Sequence, residues 1–345
     1  MKELSIQENV ILAPYTTMKI GGRARFFVEA HNENDVVDAL RFAYEKGLDV
    51  FVLGGGSNVL ISDKGFDGMV MHIATQGVEF SKADESVTAT VQAGEDWDDF
   101  VANCVERNLA GIECLSGIPG QVGGTPVQNV GAYGQEVSET IVSVRCLDRN
   151  SLAIRELCNE DCCFSYRRSI FNSTDLGYYI VLSVKFSLKQ NGEPKIAYKD
   201  VRDYFVDRTP TLTEVRDAVM AIRRSKSMVL DADDPNSRSA GSFFKNPIVG
   251  IEILAAIRKS FPGVPSFTVD ADNAKIPAAW LIENAGFQKG FVLGSAAISS
   301  KHTLALINRG NATSGQIVNL KEKIQTEVES RFGILLEPEP IFVGF

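Results

Sequence analysis

No run of about 18 apolar residues occurs anywhere in this chain of 345 residues, which excludes a membrane-spanning helix from the reading. The amino-terminal MKELSIQENV lacks the roughly 7–15-residue apolar core of a secretory signal. A soluble, cytoplasmic protein is therefore expected. Cysteine pairs are missing too: Cys104, Cys114, Cys146, Cys158, Cys162 and Cys163 form no CxxC and have no ligand spacing, and the adjacent Cys162 and Cys163 cannot easily bridge each other. They are read as reduced thiols, with no metal site. Basic residues are in deficit, 35 against 44 acidic for a net charge of −9, which argues against nucleic acid or an anionic membrane as main partner. An anionic small molecule would need a local basic pocket. Internal repeats and low-complexity segments are absent. The length suggests about two to three domains, and 44% hydrophobic residues suffice for a real core.

Glycine, by contrast, is concentrated. Gly111–Val137, GIECLSGIPGQVGGTPVQNVGAYGQEV, places Gly117, Gly120, Gly123, Gly124, Gly131 and Gly134 among Pro119 and Pro126, so it forms neither a regular helix nor a central strand. A compact domain seldom keeps so long a shaped loop unless backbone amides approach a ligand. A second loop, Leu53–Leu60 (LGGGSNVL), leaves the apolar run Val50–Leu53. A dinucleotide fingerprint would start a helix inside the glycines and a P-loop would close with Gly-Lys-Ser/Thr. Val59-Leu60-Ile61-Ser62 is instead apolar and extended, which argues against both. Glycine-rich turns can still form anion-binding nests, and two of them suit a long dinucleotide.

Elements alternate along the chain. Asn34–Lys46 has helical spacing and stops at Gly47. Val50–Leu53, Met69–Ile73, the strictly alternating Ser86–Gln92, Thr140–Leu147 and Tyr178–Leu188 read as strands, and Asp98–Arg107 as a helix. Leu212–Lys226 is a helix with a basic end. The polar stretch Ser227–Gly241 marks a boundary before a region of short helices, Gly250–Phe261 and Ala278–Ala285, with a strand at Thr303–Ile307 and a long helix, Thr313–Arg331, stopped by Gly333. Ile334–Phe345 reads as a last strand whose prolines keep it off a sheet centre.

Three further clusters could carry chemistry. In Tyr166-Arg167-Arg168-Ser169 the adjacent arginines are ordinarily a solvated face. Gly241-Ser242-Phe243-Phe244-Lys245-Asn246-Pro247 is an aromatic plug with a turn, or a presented serine. Leu336-Glu337-Pro338-Glu339-Pro340 places two carboxylates in an apolar strand, where burial would shift their ionisation unless partners exist.

Taken together and in order, PYTTMKIGG (Pro14–Gly22), LGGGSNVL, SGIPGQVGGTPVQNVGAYGQEV, FSYRRSIF (Phe164–Phe171), GSFFKNP and the terminal LEPE closely resemble the UDP-N-acetylenolpyruvoylglucosamine reductase family. The resemblance runs from about Pro14 to Gly344, and the glycine run and GSFFKNP are its most specific parts. It implies an α+β architecture: a two-subdomain FAD-binding fold similar to that of vanillyl-alcohol-oxidase-like flavoproteins, plus a smaller α+β substrate domain. The division expected is 1–75, joined by the C-terminal strand 334–345, then 76–226, and a substrate-binding domain at 227–333. FAD is held noncovalently. NADPH reduces it and leaves, and a UDP-sugar enolpyruvyl ether enters the same site to become UDP-N-acetylmuramate for peptidoglycan. A monomer is expected.

The same resemblance assigns residues. Arg167 and Glu339 flank the substrate carboxylate, where charge develops as hydride passes from flavin N5 to C3. Ser242 delivers the proton to C2, a task for which its weakly acidic hydroxyl needs help from Lys245, Asn246 or a water. Tyr198 matches the tyrosine on a mobile loop that defines one family subtype. Tyr166, Lys226, Asn246 and His302 fall on or near substrate contacts, and a lysine offers a point charge to a pyrophosphate. The flavin would be met by Gly54, Gly55, Gly56, Ser57, Asn58, Ser116, Gly117, Ile118, Pro119, Gly120, Gly123, Gly124, Gln128, Asn129, Ala132, Tyr133 and Ile180. Two departures stand out: a longer segment between Lys226 and Gly241, and Pro340-Ile341 in place of the Val-Arg that often follows the glutamate. In an extended strand Glu337 and Glu339 face the same side, so the choice between them rests on motif register.

Two rivals share part of this pattern. Another FAD-dependent oxidase of the same fold would have no use for Arg167, Ser242 and Glu339 together; many such oxidases tether flavin through histidine, and none of His31, His72 and His302 lies in the glycine loops. A catalytically silent nucleotide-sugar sensor would not need to retain all three polar residues.

Overall fold

The computed structural model describes residues 4–83, 86–205 and 208–345; Met1–Glu3 of the stretch read against a secretory signal lie outside them. The chain falls into two compact units, both discontinuous: Met1–Val10, Ala24–Gly56 and Phe66–Val229 in the first, Ile11–Arg23, Ser57–Gly65 and Leu230–Phe345 in the second.

Among the described residues the first unit contains a two-stranded sheet and two larger ones. In one, Arg23–Ala30 and Val50–Leu53 both run parallel to Phe66–Ile73 between them, with Ile6–Ile11 on the outer edge. The helix Glu33–Glu45 starts where the Asn32 side chain accepts the Asp35 amide, and it buries Val36, Ala39, Leu40 and Ala43, one stripe at helical spacing. The other sheet is antiparallel, in the order Ile154–Cys158, Ile141–Asp148, Tyr179–Gln190, Ser86–Gln92, Val78–Ala83. Val87, Ala89 and Val91 are buried from the alternating strand, as the period of two requires. Trp97 and Phe100, on the helix Trp97–Glu106, close against Phe186 with ring centroids 6.0 and 5.2 Å away. One hydrophobic core joins side chains from both sheets. The helix Leu212–Ser225 has a capping box, Thr211 with Glu214, and buries Leu212, Val215, Ala218, Val219 and Ile222.

The second unit is built from short pieces. Ile341–Val343 pairs in parallel with Val59–Ile61. Two small antiparallel sheets, Ile248–Gly250 with Asn273–Lys275 and Phe267–Thr268, and Val292–Leu293 with Ala296–Ile298 and Leu306–Asn308, accompany the helices Ile251–Ser260, Ala278–Asn284 and Ser314–Phe332. The last of these has the Thr313–Gln316 capping box and ends at Gly333, with φ +67°.

The predicted helices lie within a residue or two of those observed. Three expectations change. Thr303–Ile307 shrinks to a strand at Leu306–Asn308. Within Ile334–Phe345 only Ile341–Val343 is strand, because Pro338 and Pro340 interrupt the ladder. Ile11–Arg23 and Ser57–Gly65, grouped by the sequence with 1–75, cluster with 230–345. Met18, Ile20 and Leu60 enter the second core. A Cβ at Gly22 would stand 2.3 Å from the Asp63 carbonyl oxygen and one at Gly344 1.9 Å from that of Gly65, so these backbones interlock where only glycine fits.

Candidate active site

In the first unit the two glycine loops touch backbone to backbone. A Cβ on Gly55 would lie 2.8 Å from Gly120 Cα, and Gly56, Gly117 and Gly120 hold φ of +63°, +69° and +131°, conformations that glycine adopts without strain. The long run contains short 3₁₀ turns and the two-residue pairing of Gly131–Ala132 with Gln135–Glu136, as its composition demands. Asn129 is buried and braces the run from within: its amide nitrogen donates to Glu136 at 2.7 Å and to the Ser165 carbonyl at 3.1 Å, and its oxygen accepts the Ser138 amide. Gly123 packs on Ala93, where a Cβ would come within 2.6 Å of the Ala93 Cβ, whereas Gly124 faces open space. Ile180 is buried with the core side chains.

The FAD that the sequence implies fits this set. Glycine backbones turned through positive φ present a cradle that any side chain would fill. Beside them, the buried Gln121 Oε1 has no hydrogen-bond partner and lies 3.2 Å from where a Gly54 Cβ would be, an acceptor suited to a donor on the cofactor. Gly54–Gly56, Ser116–Gly120 and Gly124 would hold the group.

Arg167 is not a solvated arginine. It has φ +55°, its guanidinium donates to the Gly131 carbonyl at 2.8 Å, and Asn172 donates to its carbonyl at 3.1 Å, so the side chain is tied to the glycine run. Tyr166 lies beneath it, 5.4 Å from ring centre to guanidinium carbon. Tyr133 forms the hub of a second cluster: the Tyr198 ring meets it edge-on at 5.6 Å, and Lys226 Nζ stands 6.0 Å over its face. Lys226 also pairs with Asp200 at 2.9 Å. Burial pulls the Lys226 ammonium down, but the bond to Asp200 with the nearby tyrosine hydroxyls outweighs it and leaves the group above its ordinary value.

In the second unit GSFFKNP is both things its sequence allowed. Phe243 and Phe244 are fully buried, an aromatic plug with centroids 5.5 Å apart. The backbone around them is stitched on both sides, Phe243 N–H to the Leu304 carbonyl at 2.7 Å and Glu339 N–H to the Phe243 carbonyl at 2.8 Å. That stitching brings Ser242 and Glu339 to one place. Asn58 completes it, donating from its side chain to the Glu339 carbonyl at 3.2 Å and accepting the Ile341 amide at 3.0 Å. Ser242 Oγ stands 3.3 Å from His302 Nε2, while Lys245 is paired with Glu337 and Asn246 Oδ1 accepts the Ala278 amide at 2.8 Å. Sequence reasoning placed His302 only near substrate; the turn that returns it to Ser242 carries no periodic signal. Glu337 is 69% exposed at its side chain, whereas Glu339 is half-buried. Among the described residues no group of acidic, histidine or cysteine side chains is arranged to hold a metal, and no helix is long and apolar enough to cross a membrane.

Residues 24–155 match the family description FAD binding domain, and residues 233–343 match UDP-N-acetylenolpyruvoylglucosamine reductase, C-terminal domain. The chain is 42% identical to the UDP-N-acetylenolpyruvoylglucosamine reductase of Thermobifida fusca over 99% of this chain and 98% of the relative. It is 45% identical to that of Streptomyces coelicolor, over 96% and 89%. The crystal structure of the Thermus caldophilus enzyme superposes with a TM-score of 0.69 at 24% identity, covering 99% of both chains, which shows the shared fold.

Proposed function

Because the chain belongs to the UDP-N-acetylenolpyruvoylglucosamine reductase family, and so reduces the enolpyruvyl ether of UDP-N-acetylglucosamine to UDP-N-acetylmuramate in peptidoglycan synthesis, we propose roles for its residues in that reaction. FAD, when bound, supplies two-electron transfer between NADPH and the enolpyruvyl double bond. Everything else falls to the protein. Arg167 offers its guanidinium to the substrate carboxylate, where negative charge gathers as the double bond is reduced. Tyr198, Tyr166 and Lys226 bind the nucleotide-sugar part; the ammonium that meets Asp200 is the point charge a diphosphate would take over. Asn246 contributes its amide group to the same substrate.

Ser242 is the acid. Its O–H bond breaks as a C–H bond forms at C2, and the oxygen regains a proton from His302 Nε2. The observation that carries this assignment is the Ser242–His302 contact at 3.3 Å, on a backbone that the buried Phe243–Phe244 plug holds still. Glu339, half-buried on the strand stitched to Phe243, polarises the same end of the substrate, and Glu337 serves the exposed ion pair with Lys245. We further propose that the chain works as a cytoplasmic monomer.

The test is the visible spectrum under anaerobic mixing. NADPH should bleach the flavin bands, and the enolpyruvyl substrate should then restore them. A protein that binds FAD and is bleached but never recovers with this substrate is another flavin enzyme. A folded protein that stays colourless in added FAD overturns the reading.

A further inference from the structure

Gly117, in the Ser116–Gly120 turn, is gripped on both sides by charged side chains. Its N–H donates to Asp98 Oδ1 at 2.6 Å, and its carbonyl accepts Arg223 Nε at 3.0 Å. Asp98 is itself fixed by a two-pronged bond from Arg216, with the second prong at 2.9 Å to Oδ2. Arg223 is buried and also donates to the Met228 carbonyl at 2.7 Å. The rest of the turn hangs from the same helix as Asp98: Trp97 N–H donates to the Gly120 carbonyl and its indole N–H to that of Leu115, both at 3.0 Å.

A two-pronged Arg–Asp pair serving one backbone amide is more than a helix-to-helix tie. Gly117 lies at φ +69°, and a Cβ there would meet Met220 Sδ at 2.6 Å and Arg223 Nε at 3.3 Å. An unsupported glycine turn samples many shapes, and a ligand that needs one of them loses affinity in proportion.

We propose that Asp98, Arg216 and Arg223 are positioning residues that hold Gly117 in its flavin-receiving conformation before the cofactor arrives. The helix Leu212–Ser225 thus sets the flavin turn through Arg216 and Arg223 and presents Lys226 at its C-terminal cap, so one rigid element serves both cofactor and nucleotide-sugar.

The inference rests on the FAD reading, which uptake of FAD by the parent apoprotein tests separately. FAD is titrated into apoprotein by flavin fluorescence, well below the melting temperature. Asp98→Asn and Arg216→Gln should each weaken FAD binding about 10- to 100-fold, as expected for losing a charge-assisted hydrogen bond. The double variant should be no weaker than the weaker single, because both act through one peptide. Arg216→Lys keeps the charge but not the fork and should fall between parent and Arg216→Gln. Arg145→Gln removes another ion pair of the same unit, to Glu33 at 2.9 Å, and should leave FAD affinity unchanged. The proposal is overturned if Asp98→Asn and Arg216→Gln bind FAD within twofold of the parent, if their effects add, or if Arg145→Gln weakens FAD as much. Should Asp98→Asn fail to fold, Arg216→Lys and Arg216→Gln decide by the same criteria.

Discussion

The flavin turn and the Ser242–Glu339 knot solve opposite problems. At Gly117 the group proposed to meet the flavin is backbone, and charged side chains, Asp98 and Arg223, place it. At Ser242 and Glu339 the groups proposed to act are side chains, and backbone bonds over the Phe243–Phe244 plug place them. A backbone donor lacks a rotamer of its own and must be fixed by neighbours; a side-chain acid has rotamers and needs a rigid root. Damage should therefore differ in kind. In the first region it appears as cofactor affinity, in the second as rate with the cofactor in place.

The sharpest break in that comparison is Ser242→Ala. Flavin reoxidation by substrate should slow about 10²–10⁴-fold, the usual contribution of a general acid, while reduction by NADPH stays near the parent rate. Equal slowing of both half-reactions in stopped flow would make Ser242 part of the flavin floor instead. Next in size, Glu339→Gln should lower kcat by about 10²-fold with little change in KM, since stabilisation made in the transition state appears in kcat. Glu337→Gln, which breaks only an exposed pair, should change turnover less than about threefold. Reversed sizes in single-turnover reoxidation would show the register to be wrong by two residues. On the other side of the comparison, Gly55→Ala pushes a methyl against the Gly120 backbone at 2.8 Å. Overpacking of about 1–3 kcal/mol should weaken FAD about tenfold or more in an equilibrium titration, with the rate of the loaded enzyme nearly unchanged.

The smallest effect is one of pH. Burial raises the Asp98 carboxyl, but the bonds from Arg216 and the Gly117 amide outweigh it and leave the group below its ordinary value. A depressed carboxylate adds stability that is fully present above its unfolded value of about 3.9 and is lost as pH falls through the lower folded value. Thermal melting of the parent should carry this added acid sensitivity below about pH 4, and Asp98→Asn should lack it. Identical melting curves against pH would mean that Asp98 is not the group responsible.

Much of this was legible in residue order. Strong helical stripes, with Thr313 at a start and Gly47 and Gly333 at ends, mark their elements. Strict alternation marks Ser86–Gln92. Arg23–Ala30 was not foreseen: it lies between two neighbours in the first sheet, and Phe27-Val28 are buried in succession, so polar and apolar residues do not alternate cleanly. Ile154–Cys158 escaped for the reverse reason, being an edge strand with almost no buried face. The second unit's strands of two or three residues are too short to show a period. The glycine run announces itself by composition, but the residues that shape it do not: Asp98, Arg216 and Arg223 read as ordinary helix charges, and their convergence on one glycine exists only in the fold.

The second unit also sets an order in time. Its ties span long stretches of chain, Thr17 to the Ser239 carbonyl across 222 residues, Asn58 to the Glu339 carbonyl across 281 and Asn308 to the Met18 carbonyl across 290. Contacts between such distant segments form slowly, because the entropy of closing the loop is lost before the bonds reward it. Every segment of the first unit lies before Leu230. During refolding its amides should become protected from exchange first, and the knot that holds Ser242 and Glu339 last, so a cradle for the cofactor exists before there is any means of using it.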